Sequence, residues 1–193
     1  YRFGQTVIGD GEVELDCELR GKPSEVPQRP PRLVGRIGLD REPINLDDAH
    51  QLRWLLACVW PDQADRRERL EAAVKVARRV GPQVIAGDAV DDLPRALDAL
   101  PSGHRVVTTS WVLNYLPEAR RTQFVQTLAE LGRSRPLSWV SYESPEATPG
   151  LDWPESVADS SLTTLRVVTW SAGGVEDLVL GQGHPHGYWL TFG

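Results

Sequence analysis

Two short apolar runs constrain this chain more than anything else in it. Val84-Ile85-Ala86-Gly87-Asp88 and the run at 106–115, Val-Val-Thr-Thr-Ser-Trp-Val-Leu-Asn-Tyr, each read as a short buried strand that ends in small or polar residues. A helical pattern at 93–100 separates them. Strand, helix, strand is the order from which open parallel sheets are built, and ligands of such sheets collect at the carboxyl ends of the strands. Asp88, Thr109 and Ser110 are expected there.

The flanking sequence extends the pattern. Val13, Leu15, Cys17 and Leu19 share one face of an expected strand and Glu12, Glu14, Asp16 and Glu18 the other, with Gly9-Asp10-Gly11 as a hairpin turn. Four prolines make 23–32 an extended connector. A strand over 33–39 is closed by Asp40. A helix capped by Asn45 or Asp47 follows, with Leu52, Leu55, Leu56 and Val59 as its apolar stripe. A second helix starts near Asp62 or Asp65 and stops at Gly81-Pro82. Pro117 opens a further helix with Phe124, Val125, Leu128 and Leu131 inward and Gly132 as its cap. A strand at 137–142, a loop at 144–161, a hairpin about Ser171-Ala172-Gly173-Gly174 and a last strand at 188–192 complete the chain. The expected fold is α/β, one domain over 1–193. A hairpin and connector (1–32) precede an open, mostly parallel Rossmann-like core (33–193) with helices on both faces and an antiparallel C-terminal edge.

Bulk properties narrow the function classes. The chain has 193 residues, 40% of them hydrophobic, and a formal net charge of −6. That charge argues against general binding to a nucleic-acid backbone, which needs a basic face. No run approaches the ~18 apolar residues of a membrane span. Cys17 and Cys58 have neither metal-ligand nor disulfide spacing, so a reduced, cytoplasmic setting is expected. Seven tryptophans and no methionine are unusual, and the missing initiator leads to the expectation that Tyr1 is not the natural first residue and that the chain is part of something longer.

Several blocks together resemble a bacterial family, the domain of unknown function 2332. They are Ile-Gly-Leu-Asp-Arg-Glu-Pro-Ile at 37–44, Leu-Arg-Trp-Leu-Leu-Ala-Cys-Val-Trp-Pro-Asp-Gln at 52–63 and Gly-Asp-Ala-Val-Asp at 87–91. Ser-Trp-Val-Leu-Asn-Tyr-Leu-Pro at 110–117, Trp-Val-Ser-Tyr-Glu at 139–143 and His-Pro-His-Gly-Tyr-Trp-Leu at 184–190 continue the match in order. The architecture the resemblance implies is that of S-adenosylmethionine-dependent methyltransferases. The small-residue loop that holds the methionine end of that cofactor has no counterpart here.

The resemblance and the strand ends together name candidates. Asp40 is read as a grip on ribose hydroxyls, or as a turn residue before Glu42-Pro43. Asp88 is read as an acceptor for an adenine amine beside Gly87, whose bare backbone permits close approach, or as a cap of the next helix. S-adenosylmethionine is the expected cofactor of this set. Ser110 and Glu143 are the candidate catalytic groups that would face a methyl acceptor, Glu143 as a base or an ammonium grip. Thr109, Ser110 and Asn114 stand where methyltransferases often place a catalytic or substrate-binding residue, with Thr109 and Ser110 alternatively read as satisfying backbone groups; Asp91 and Asp92 are read as a solvated first helical turn. Trp60 is expected as a core anchor and Asp62 as a cap. His184 and His186 lack a third ligand for a metal, so no metal site is expected. The ligand is expected to be a small molecule, with neither nucleic acid nor membrane as a partner, and the protein partner is left open. The alternative is a non-catalytic Rossmann-like binding or interaction module.

Overall fold

The computed structural model describes residues 1–21, 27, 29–154, 157 and 161–192. The chain divides into two compact units. The first comprises 1–2, 8–15 and 29–101; the second comprises 3–7, 16–28 and 102–193.

In chain order the strands are β1 (Arg2–Phe3), β2 (Thr6–Val7), β3 (Asp16–Gly21), β4 (Gly38–Asp40), β5 (Val84–Ala86), β6 (Arg105–Ser110), β7 (Leu137–Glu143), β8 (Thr163–Ser171), β9 (Gly174–Gly183) and β10 (Trp189–Phe192). The helices are α1 (Ala49–Ala57), α2 (Ala64–Val80), α3 (Leu93–Asp98) and α4 (Glu118–Ser134).

The first unit holds a two-stranded parallel sheet, β4 beside β5, with α1, α2 and α3. Its buried side chains are Val74 of α2, Val90, and Leu93, Ala96 and Leu97 of α3. Asp48, rather than Asn45 or Asp47, caps α1: its Oδ1 accepts from the N–H groups of His50 (2.7 Å) and Gln51 (3.1 Å). Asn45 is already engaged in the preceding turn, where its side-chain oxygen accepts from Asp47 N–H. Gly81 ends α2 as its position suggests, in the left-handed conformation (φ 59°), and donates to the carbonyl of Ala77. Trp60 is 72% exposed and is not a core anchor. Asp62 caps nothing: Gln63 stands before α2 and makes no side-chain capping bond.

The second unit overturns the expected sheet. Its strands belong to a strongly curled, mixed eight-stranded sheet in the order β2-β1-β3-β10-β9-β8-β7-β6. Only β6–β7 and β3–β10 pair in parallel there among the described registers; β7–β8, β8–β9 and β9–β10 are antiparallel. The structure is therefore not an open, mostly parallel Rossmann-like sheet. The local strand–helix–strand reading of 84–110 holds, but β5 and β6 lie in different sheets. From β7 onward the chain returns by antiparallel connections, as at Ala172-Gly173, where Ser171 pairs with Gly174. The expected N-terminal hairpin is also displaced. The tight turn is at Gly4-Gln5 between β1 and β2, and the apolar alternation enters a strand only from Asp16, where Cys17 and Leu19 are half-buried.

The core of this unit lies under α4. Leu137 and Trp139 of β7, Val168 and Trp170 of β8 and Val107 of β6 face Phe124 and Leu128. Phe124 and Trp139 meet edge to face, with ring centroids 5.6 Å apart. Gly132 is not a cap. It lies inside α4 where a Cβ would fall 2.3 Å from the Cβ of Trp170, so its bare backbone is what lets helix and sheet touch. The loop expected at 144–161 contains a 3-10 turn at Pro145–Ala147, and its residues 155, 156 and 158–160 lie outside the described residues.

Candidate functional site

The acids predicted to work together lie at one rim of the first unit. The parallel register sets Leu39 beside Ile85 and Asp40 beside Ala86. Gly87 N–H then donates to the carbonyl of Asp40 (2.8 Å). Asp40 and Asp88 thus emerge from the same ends of two hydrogen-bonded strands. Each also serves its own turn. Asp40 Oδ1 accepts from Glu42 N–H (2.8 Å), an Asx-turn, while its Oδ2 accepts no bond among the described residues. Asp88 Oδ1 accepts from Val90 N–H (2.8 Å) and Asp91 N–H (3.2 Å), which steers the chain into α3.

Asp92, read from the sequence as merely solvated, closes this turn. Its Oδ2 accepts from Asp88 N–H (2.8 Å) and its Oδ1 from the Arg95 guanidinium, which also reaches the Ala86 carbonyl. The Asp88 N–H first, and Arg95 next, hold the Asp92 carboxyl below the usual carboxylate range. Gly87 has an internal reason to be glycine. A Cβ there would sit 2.8 Å from both Asp92 Oδ2 and Leu39 Cδ1.

Ser110 and Glu143 belong to the second unit, at the carboxyl end of the parallel pair β6–β7. The structure does not bring them together. Thr109 pairs with Ser141 and Ser110 with Tyr142, so the pleat sends Ser110 to one face and Glu143, two residues past Ser141, to the other. Ser110 is exposed; Glu143 is 1% exposed. Its Oε1 accepts from Val112 N–H (3.1 Å), and its Oε2 has no hydrogen-bond partner among the described residues.

Burial pushes the Glu143 carboxyl above the ordinary carboxylate range. The N–H groups of Val112, Leu113 and Trp111 and the Thr109 hydroxyl oppose that shift without cancelling it. Those N–H groups converge because Trp111 adopts a left-handed backbone (φ 56°), a strained conformation for a bulky residue. The indole is held by Trp111 Nε1 donating to Thr163 Oγ1 (2.9 Å). Thr109, read as a backbone-satisfying residue, instead accepts from Trp139 Nε1 (3.1 Å) while supporting Glu143. Asn114 Oδ1 accepts from Ser144 Oγ (3.2 Å), and Asn114 Nδ2 is buried without a partner among the described residues. Nothing in the sequence distinguishes this network except the strand alternation that places Thr109, Ser141 and Glu143 on one face.

The histidine pair forms a turn. His186 N–H donates to His184 Nδ1 (3.1 Å) and Tyr142 hydroxyl to the His184 carbonyl (2.8 Å). Among the described residues no group of three or more His, Cys, Asp or Glu side chains could hold a metal ion. No helix among them is long and apolar enough to cross a membrane.

The sequence profile of a family described as an uncharacterised protein conserved in bacteria, the domain of unknown function 2332, matches residues 1–192. The chain belongs to that family. No curated protein and no solved structure matches it. Within the domain of unknown function 2332, two separate sets of polar side chains at strand ends therefore stand as the functional candidates: Asp40 with Asp88, and Glu143 with its N–H groups.

Proposed function

We propose that this chain is a small-molecule-binding domain whose β4–β5 rim grips the nucleoside part of its ligand, with S-adenosylmethionine as the first candidate. The observation that carries the reading is the emergence of Asp40 and Asp88 from the same ends of two paired parallel strands. Carboxylates there are hydrogen-bond acceptors, and a nucleoside offers the matching donors, ribose hydroxyls and an exocyclic amine. Asp40 keeps Oδ2 for a hydroxyl while Oδ1 holds its turn. S-adenosylmethionine would supply an electrophilic methyl group. The proposed grip uses first-unit residues; Glu143, whose pKa burial raises, and the exposed Ser110 belong to the second unit.

Calorimetric titration of the chain with S-adenosylmethionine, S-adenosylhomocysteine and adenosine tests this. Saturable heat with at least one of them is expected. Asp40→Asn and Asp88→Asn should each weaken it by about 1–3 kcal/mol, with the fold checked by thermal melting. A second reading, a non-catalytic interaction module, is favoured by the exposed Trp54 (60%) and Trp60 of the first unit. Absence of heat with all three ligands leaves that reading alone.

A further inference from the structure

We infer that the second unit carries a binding site, separate from the β4–β5 rim, for a small, flat, uncharged molecule with one hydrogen-bonding edge. The sheet holds a cavity of about 320 Å³ lined by Val157, Leu162, Val179, Gln182, Trp189 and Thr191, with the Gly181 backbone. That volume falls at the lower end of ligand clefts.

The register explains its polar wall. Glu143 pairs with Thr164, Thr164 with Gln182, and Gln182 with Thr191, so one row crosses four strands on one face. Thr164 is fully buried, and among the described residues its hydroxyl takes only a long bond from Gln182 Nε2 (3.5 Å). The Gln182 amide is therefore weakly held and can turn its donor and acceptor to an occupant. Thr191 adds a hydroxyl beside it.

Val157, Leu162 and Val179 make the other walls apolar. Trp189 supplies a flat surface that Arg20 holds from one side, with its guanidinium carbon 4.5 Å from the ring centroid. Among the described residues none of the lining side chains is ionisable. A charged occupant would lose hydration without gaining a counter-charge from these side chains, which favours a neutral ring.

Titration of the ¹⁵N-labelled chain with benzamide, followed by NMR, tests the site. Saturable shifts of the Trp189 indole N–H and the Gln182 side-chain amide are expected. Benzoate should bind at least about tenfold more weakly. Val179→Phe, which fills the cavity, should abolish the shifts. Gln182→Ala, which removes the polar edge, should weaken benzamide about fivefold or more and decides the matter if Val179→Phe fails to fold. Benzamide that leaves both signals unmoved, binding that survives Val179→Phe in a folded chain or Gln182→Ala unchanged, or benzoate binding as tightly as benzamide would each overturn the site.

Discussion

Among the described residues Glu143 is the buried carboxyl of the second unit, and it gives that unit a pH response. Glu143 has a folded-state pKa above its unfolded value because burial penalises its charge. Between those two values the native chain keeps a proton that the unfolded chain has released. The acid's contribution is therefore intact below about pH 4.3 and is lost as pH rises through the window up to the raised value. Glu143→Gln keeps an acceptor for Val112 N–H and removes the titration. Urea midpoints from pH 4 to 8 should show a falling limb in the parent that is flattened in the variant; parallel curves would refute the assignment. Asp40 and Asp88 were legible in the sequence as strand-end acids, because parallel strands deliver their ends to one rim. The separation of Ser110 from Glu143 was not. Polar Thr109, Ser141 and Glu143 occupy the buried face, which disguises the alternation that would have shown their parity.

The contact between α4 and the sheet turns on Gly132. Alanine there would gain about 1 kcal/mol of helix propensity. Its Cβ would also land 2.3 Å from Trp170 Cβ, against backbone-anchored atoms that have no flexible end to yield. Overpacking of this kind costs about 1–3 kcal/mol, so Gly132→Ala should destabilise on balance. Urea denaturation followed by near-ultraviolet tryptophan signal checks it, and a stabilised variant would contradict the close approach. Gly132 was misread as a cap because glycine near the end of a periodic helix usually is one. Only the neighbour across the sheet reveals its other use. Asp48 was passed over for a similar reason: three polar residues compete for the cap, and with the Asn45 side chain in the preceding turn and the Asp47 carboxylate paired with Arg78, Asp48 takes it.

Strand positions in this chain follow from local pattern, whereas strand partners do not. The segments at 84–86, 105–110 and 137–143 sit close to where periodicity places them. Their sorting into a two-stranded and an eight-stranded sheet depends on long-range pairing that a window of sequence does not contain. The same holds for β3, whose residues Glu18–Gly21 pair in parallel with Trp189–Phe192. Deleting residues 1–21 should leave β10 with β9 as its sole neighbour among the described strands. Amide hydrogen exchange over 189–192 should then accelerate and the urea midpoint of the second unit should fall; unchanged exchange would show the pairing to be dispensable. This pairing also has a consequence for synthesis. On the ribosome β3 emerges before residues 22–188 and its mate only after them, so this part of the sheet cannot be completed until that whole intervening segment has been made. Until then an unsatisfied ladder of backbone groups waits in a nascent polypeptide. Closing so long a loop delays folding and gives chaperones or stray strands time to compete for that edge.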